Sequence, residues 1–361
     1  MYRSFSIRHF RGLAELELKG LRRANLITGQ NNVGKTAALE ALFLHCGAFN
    51  PDLVNMINGL RGITALSVDV EREYESPWDS IFHNFKYTKP VTLDADIDDS
   101  GWQVRFTHVT NQSEISGLSL AIQKTYERAV AQSTKVAAKI LKLEFRWHKK
   151  APRNYYLILD AAGKKVDPPL PAPILPCRFQ YATTRVNPKE EAARFARIQI
   201  EGAQEFIVRA LSKLEPRLKG LTIAVEAGEA MIHADIGLKG RGIVPLALMG
   251  DGVNRLCSIL LLIASVPKGV VLIDEVDVGW HHSVLGLVWE QIFLALEIYD
   301  VQLFCTTHSM ECVSAAHSAA LKADAYPFKM FRLERRKEAI SVVDYDKDTL
   351  AASLEHNYEV R

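Results

Sequence analysis

The chain has 361 residues, of which 48% are hydrophobic and 24% charged, a balance typical of a globular protein with a sizeable core. Its 44 basic and 42 acidic residues nearly cancel, so net charge neither indicates nor excludes a nucleic acid partner. The N-terminus lacks a signal-peptide pattern, and the longest apolar run, residues 256–266, is too short to span a bilayer. With five scattered cysteines and no C-x-x-C pair, we expect a cytoplasmic protein without a membrane segment.

The first 50 residues predict a hairpin followed by a strand and a helix. Polar and apolar side chains alternate over residues 2–10 and 14–18, which indicates two paired strands. A short apolar strand is expected at 25–28, and apolar residues at helical spacing indicate a helix from residue 36 to about residue 49.

Between that strand and helix, residues 29–36 read GQNNVGKT and have the G-x-x-x-x-G-K-[ST] spacing of a phosphate-binding loop. Backbone N–H groups of such a loop cradle phosphates, its lysine reaches the β and γ phosphates, and its hydroxyl ligates Mg²⁺. A chance glycine-rich turn is disfavoured, because strand, loop, lysine, hydroxyl and helix follow in the order that this mechanism needs. The residues expected to contact ATP are Gly29, Asn31, Asn32, Gly34, Lys35 and Thr36, with Thr36 also on Mg²⁺.

The middle of the chain, residues 51–239, is predicted to be an insertion of strands and helices. Residues 78–85 indicate a short amphipathic helix, residues 90–182 a β-rich segment, and residues 188–219 a helical pair. Strands and helices alternate at the two ends of the chain, about 1–50 and 240–361, which indicates a parallel core. We therefore predict one α/β head over residues 1–361, with a parallel α/β core and a mixed β lobe built from the N-terminal hairpin and part of the insertion.

A second nucleotide signal lies at residues 270–277, which read VVLIDEVD and have the form of a buried parallel strand ending in acids. Ligands bind at the carboxyl ends of such strands in open α/β sheets. Asp274 is therefore expected to hold Mg²⁺, directly or through water, and Glu275 to polarise the attacking water. The alternative is an acidic strand end that caps the next helix, which is disfavoured in a chain that also carries a phosphate loop.

Two further stretches have chemistry that suits phosphate. In FCTTHSME, residues 304–311, His308 follows an apolar strand and is expected to sense the γ-phosphate. In MGDGVNRL, residues 249–256, two glycines precede an apolar helix, so the backbone at its N-terminus could bind an anion. A simple helix cap by Asp251 or Asn254 explains the same residues equally well.

Taken together, GQNNVGKT, MGDG, LIDEVD with the following His281-His282, and TTHS resemble the ABC-type ATPases of the SMC-like branch. The small ATPases of bacterial anti-phage systems that are related to the overcoming-lysogenization-defect (OLD) proteins are the most similar. The resemblance covers about residues 1–50 and 240–361. It implies an ABC-type ATPase head whose 249–253 loop crosses a homodimer to the γ-phosphate of the partner's nucleotide.

The same resemblance assigns residues at several positions. The chain departs from the L-S-G-G-Q form of the trans signature loop, because Gly250 replaces the serine, Asp251 the first glycine and Val253 the glutamine. Gly252 and the helix N-terminus remain. Relatives commonly have a residue near the nucleotide at the position of Arg11, and Gln180 is a candidate for their Q-loop.

The function implied is a Mg²⁺-dependent regulatory ATPase of a defence system, which controls a separate effector such as a nuclease or toxin. One alternative is an SMC-like ATPase of DNA repair or DNA clamping, disfavoured by the absence of heptads and by the near-neutral charge. Another is a metal-dependent nuclease that uses His281-His282, or the acids of DYDKD at residues 344–348. Only 13 residues follow that run, fewer than a Toprim domain needs, so a solvated turn is the preferred interpretation.

Overall fold

A computed structural model gives the arrangement of the chain in two compact units. It describes residues 1–63, 76, 78–98, 100–109, 115, 123, 139–148, 150–160, 163–183, 186–226, 228–238, 240, 242–337 and 339–361. The first unit comprises Met1–Leu21, Asn31–Leu175 and Leu333–Val342, and the second Arg22–Gln30, Pro176–Arg332 and Val343–Arg361. This division does not follow the boundaries predicted at residues 50 and 240. The predicted insertion is divided between the two units. Its residues up to 175 group with the N-terminal hairpin, and those from 176 group with the second unit.

The first unit is built on a seven-stranded sheet in the order β2-β1-β4-β5-β6-β7-β8. Every pair in it is antiparallel, and it contains the N-terminal hairpin together with strands of the predicted insertion. The strands are β1 (Tyr2–Phe10), β2 (Leu13–Lys19), β4 (Val91–Ile97), β5 (Ser100–Val109), β6 (Lys139–Trp147), β7 (Arg153–Asp160) and β8 (Gly163–Asp167). Within the predicted β-rich segment 90–182, residues 110–138 lie outside the described residues except for residues 115 and 123.

Helices α1 (Lys35–Cys46) and α2 (Leu53–Leu60) also belong to this unit. All but one of the α1 residues are buried, so this helix has no solvent-facing side. The amphipathic helix predicted over 78–85 is wrong. Two 3₁₀ turns, Asp79–Ile81 and His83–Phe85, take its place, and Asn84 in the second has φ +52°, a left-handed conformation that asparagine tolerates well.

A buried polar network fixes α1 within the first unit. The imidazole of His45 has no exposed surface and is stacked on the Trp102 ring, with centroids 5.1 Å apart. Its Nε2 lies 2.9 Å from the Trp102 carbonyl oxygen, and its Nδ1 lies 2.8 Å from the Tyr2 hydroxyl. Burial lowers the pKa of His45 from 6.5 to about 4, so the ring is neutral in the folded protein at neutral pH.

This shift makes folding stability depend on pH in a defined window. The unfolded chain binds a proton at His45 below about pH 6.5, whereas the folded chain resists it until pH 4, so stability falls as the pH is lowered between these values. Each pKa unit corresponds to about 1.4 kcal/mol, so the free energy of unfolding falls by roughly 3 kcal/mol over the whole window. Urea unfolding between pH 7 and 5 should show it, and His45→Asn should remove close to one proton from the pH slope. An unchanged slope in that variant would refute the assignment.

The second unit holds most of a six-stranded sheet in the order β16-β15-β3-β14-β13-β9, of which residues 333–336 and 339–342 are grouped with the first unit. Neighbours from β3 through β9 pair in parallel, and every residue of β3, β13 and β14 is buried, as expected when both faces of a sheet are covered. The predicted α/β fold with a parallel core is confirmed. The strands are β3 (Ala24–Gly29), β9 (Cys177–Gln180), β13 (Val270–Ile273), β14 (Gln302–Thr306), β15 (Phe328–Arg336) and β16 (Ala339–Tyr345).

Six helices and a small antiparallel sheet complete the second unit. Asn187 accepts two backbone N–H bonds just before Pro188, which explains where the first of these helices begins. The helices are α3 (Pro188–Ile200), α4 (Gln204–Ser212), α5 (Asp251–Ala264), α6 (Leu285–Ile298), α7 (Met310–Ala320) and α8 (Lys347–Glu355). The small sheet contains β10 (Gly220–Glu226), β11 (Glu229–Asp235) and β12 (Val244–Pro245). Within the described part of the chain, no helix is both long and apolar enough to cross a membrane.

Candidate nucleotide site

The phosphate loop has the strand–loop–helix context that its motif requires. β3 ends at Gly29, with φ +134°, and α1 begins at Lys35 after Gly34, with φ +104°. A side chain at Gly34 would be strained, and its Cβ would lie 2.7 Å from Leu13 Cδ2. Gly29 belongs to the second unit, whereas Gly34 and Lys35 belong to the first.

The other predicted loop residues also lie in the first unit. Asn32 has φ +61°, and its carbonyl oxygen accepts a hydrogen bond of 3.0 Å from Arg335 Nη2. Lys35 is buried, with 6% of its surface exposed, and Thr36 is half-buried in the first turn of α1. The N–H groups of this first turn need acceptors outside the helix, which a phosphate can supply.

In the second unit, the parallel register brings the ends of three strands to one edge of the sheet. Ile273 pairs with Cys305, and Thr306 pairs with Ile27, so Asp274, Thr306 and Gly29 all fall at carboxyl ends. That edge is where open α/β sheets bind ligands. His308 follows two residues after β14 at the same edge.

One hydroxyl there binds the Asp274 carboxylate and the backbone of Glu275. Thr306 Oγ1 donates to Asp274 Oδ1 at 2.7 Å and accepts from the backbone N–H of Glu275 at 2.8 Å. Thr306 has no exposed surface and Asp274 only 7%, so these bonds are shielded from water. Sequence reasoning missed Thr306, although TTHS places a hydroxyl at the end of the strand next to LIDE.

We expect Thr306→Val to impair turnover and stability together. The valine keeps the shape but leaves a buried carboxylate oxygen and a backbone N–H without their partner, at a cost of about 1–3 kcal/mol. The displaced carboxylates should reduce kcat by roughly 10- to 100-fold. Urea unfolding and a phosphate-release assay would measure both effects, with Thr306→Ser as the control that keeps the hydroxyl. Wild-type values for the valine variant would exclude a role for this hydroxyl.

The loop before α5 is shaped by glycine and not by a side-chain cap. Gly250 occupies the N-cap position with φ +94° and no side-chain hydrogen bond, and Asp251 is already the first helical residue. The alternative in which Asp251 or Asn254 caps the helix therefore does not describe it. Gly252 packs against Trp280, whose Nε1 donates to its carbonyl oxygen at 3.0 Å, and a Cβ at Gly252 would lie 3.2 Å from Trp280 Cδ1.

Arg11 and Gln180 have structural contacts of their own. Arg11 Nε lies 2.7 Å from an oxygen of the fully buried Glu40 on α1, and Arg61 holds the other oxygen at 2.6 Å. A nucleotide contact by Arg11 stays a prediction. Gln180 ends β9, and its carbonyl oxygen accepts the N–H of Asp274 at 2.9 Å, so it positions the candidate magnesium ligand through its backbone.

The residues of the nuclease alternatives have structural partners. His281 accepts a backbone N–H from Ser283 at the start of a 3₁₀ turn. In DYDKD, Asp344 pairs with Lys329 at 2.7 Å, and Asp346 caps α8 through a reciprocal bond with Thr349. The run is thus a strand end and a helix cap, where a solvated turn was predicted. The hydrogen bonds from Thr349 lower the pKa of Asp346.

The oxygen donors fit Mg²⁺ bound together with a nucleotide. In such sites one or two protein oxygens suffice, because phosphates and waters complete the shell. Each unit by itself offers one donor of this kind, the Thr36 hydroxyl in the first and the Asp274 carboxylate, oriented by Thr306, in the second. Over the residues that the structure describes, no group of three or more His, Cys, Asp or Glu is gathered as an all-protein cage would need.

Comparison with known proteins agrees with this architecture. The family model described as "AAA domain, putative AbiEii toxin, Type IV TA system" matches residues 24–314. A protein of Helicobacter pylori named "ATP/GTP phosphatase" is 22% identical over 381 aligned positions, which cover 99% of this chain and 98% of that protein. A crystal structure of an Smc head bound to the C-winged helix domain of ScpA superposes with a TM-score of 0.50 and 11% identity. It covers 96% of this chain and 98% of that one, and the likeness supports the SMC-head-like fold.

Proposed function

The chain belongs to this AAA-domain family and is an ATPase, and we propose that it hydrolyses ATP with Mg²⁺ as the regulatory subunit of a defence system. The observation that carries the proposal is the Thr306 hydroxyl. It binds Asp274 and the Glu275 N–H at the sheet edge where β3 ends in the first glycine of the phosphate loop. The hydroxyl thereby holds one candidate carboxylate and the backbone of the other at the edge where α/β sheets bind ligands.

Each residue has a separate task in hydrolysis. Lys35 and the backbone of residues 29–34 bind the phosphates, and Thr36 and Asp274 supply oxygen ligands to the metal. When bound, Mg²⁺ neutralises charge on the β and γ phosphates. Glu275 accepts a hydrogen bond from the attacking water and takes its proton. His308 donates to a γ-phosphate oxygen, which ties its position to the presence of the terminal phosphate.

The second nucleotide-binding surface is the exposed loop before α5. Gly250 and Asp251 are exposed, and Leu248 just before them has 75% of its surface exposed, although it is apolar. A second copy of the chain would cover this loop in an ATP-bound homodimer, with the first N–H groups of α5 directed at its partner's γ-phosphate. ATP hydrolysis would then release the dimer.

The output is proposed to be a separate effector. The family description names a toxin and a type IV toxin–antitoxin system, which supports a defence role. A nuclease or toxin encoded beside this chain would carry out the response to infection.

A direct experiment is to express the chain with its neighbouring reading frames and count phage plaques. Protection that requires both the neighbour and an intact Lys35 would support the proposal. Protection that persists without ATP binding, or none with any neighbour, would contradict the defence role. Purified chain should also release phosphate from ATP only when Mg²⁺ is present.

An SMC-like DNA clamp is the second candidate, favoured by the SMC-head-like fold. A clamp would be retained on closed circular DNA in high salt after ATP binding and released when the circle is cut. Retention of this kind, without phage protection, would favour the clamp over the defence ATPase.

A further inference from the structure

Glu275 has a backbone conformation that residues with a side chain rarely adopt. Its φ is +52°, in the left-handed region, which costs a non-glycine residue about 1–2 kcal/mol. The conformation must therefore be held by contacts on both sides of the residue. On the amino side, its N–H donates to Thr306 Oγ1 at 2.8 Å.

On the carboxyl side, the Glu275 carbonyl oxygen accepts two hydrogen bonds, one from the backbone N–H of Val278 at 3.3 Å and one from α5. Arg255 Nη2 lies 3.4 Å from the Glu275 carbonyl oxygen and donates to it. Arg255 is half-buried in the first turns of α5, three residues after Gly252. The same helix and the segment after Glu275 are joined a second time by the bond from Trp280 to Gly252.

Opposing effects act on the positive charge of Arg255. Burial lowers the pKa of its guanidinium, and the carboxylates of Asp277 and Glu275 oppose that shift. Its Nε is buried without a hydrogen-bond partner among the described residues. Placing a partly desolvated guanidinium here weakens folding, so stability alone does not account for it.

We propose that Arg255 is a positioning residue for Glu275, which fixes the left-handed turn and so aims the Glu275 carboxylate at the attacking water. The inference rests on the proposed role of Glu275 in hydrolysis. Arg255 would touch neither ATP nor the water. Its effect would be confined to the rate of the chemical step, with ATP binding unchanged.

The first test compares kcat and the Kd for Mg-ATP in the wild type, Arg255→Met and Arg255→Lys. Methionine preserves the packing of the stem, and lysine preserves a charged donor with a shorter reach. We expect kcat to fall roughly 10- to 100-fold in the methionine variant, with partial recovery in the lysine variant and Kd within about threefold. A loss of ATP affinity as large as the loss in kcat, or an unchanged kcat, would overturn the proposal.

The second test asks whether Arg255 acts through Glu275. In a Glu275→Gln background, Arg255→Met should cause little further loss of single-turnover rate, because the carboxylate that it positions is already gone. An equal loss in both backgrounds would mean a general structural role and would refute the proposal. Arg197→Met is the matched control, since it removes an exposed arginine of α3 away from the site and should leave kcat unchanged.

Failure of the proposed function would look different. If the wild type released no phosphate from ATP, or Lys35→Ala released as much, the hydrolytic role itself would be wrong. If those two proteins behave as expected and Arg255→Met matches the wild type, only the positioning role is lost.

Discussion

Lys35→Ala should abolish detectable ATP binding, with an affinity loss on the order of 100-fold or more. In the proposed site the ammonium group donates to both the β and γ phosphates, and each charge-assisted hydrogen bond of this kind is worth about 1.5–3 kcal/mol, so losing two lowers affinity by on the order of 100-fold or more. Calorimetric titration with Mg-ATP would measure the change. Unchanged affinity would refute the phosphate-loop assignment.

Lys35 is buried, with only 6% of its surface exposed, so its replacement could also change stability. The control must therefore separate ATP binding from folding. Urea unfolding of Lys35→Ala should give a midpoint close to that of the wild type. Lys189→Ala, on the exposed first turn of α3, serves as a matched loss of one lysine and should bind ATP normally.

Glu275→Gln should keep ATP affinity, stop turnover and accumulate an ATP-bound dimer. Glutamine has the same shape and the same backbone N–H for Thr306, but it cannot take a proton from water, so kcat should fall roughly 10²- to 10⁴-fold. Light scattering after size exclusion would detect a doubled mass with ATP and the monomer mass without it. Glu290→Gln, on the surface of α6, is the control and should behave as the wild type does.

Two outcomes would contradict this expectation. Normal turnover in Glu275→Gln would remove Glu275 from the catalytic role. Blocked turnover without a change in mass would leave hydrolysis intact as a function but exclude the ATP-dependent dimer.

The sequence predicted the elements whose local signals and tertiary surroundings agree. The apolar strand, the glycines and the lysine of residues 24–36 all favour one arrangement, and the structure has it. The same holds for β13 and β14, since a fully apolar run followed by polar residues is typical of a buried parallel strand. The edge at which Asp274 and Thr306 meet follows from that parallel pairing.

Elsewhere, tertiary contacts outweighed local pattern. β9 is only four residues long, and its pairing with β13 places it in the core sheet, whereas the sequence predicted an insertion there. Residues 78–85 have helical spacing, but Phe82 is extended and divides them into two turns, the second of which contains the left-handed Asn84. Helix α8 was missed because Asp346, its N-cap, was interpreted as part of an acidic turn.

Two demands of different kinds meet at position 275, because the backbone there is left-handed at φ +52° while the proposed hydrolysis requires a carboxylate side chain. Substitutions at this position should therefore fall into two classes, according to whether they lose only activity or also local structure. Glycine, asparagine and glutamine satisfy the backbone and lose only chemistry, whereas valine and isoleucine, whose β-branches oppose a positive φ, lose local structure as well. Replacement by alanine alone would not separate the effect of the backbone conformation from the effect of losing the carboxylate.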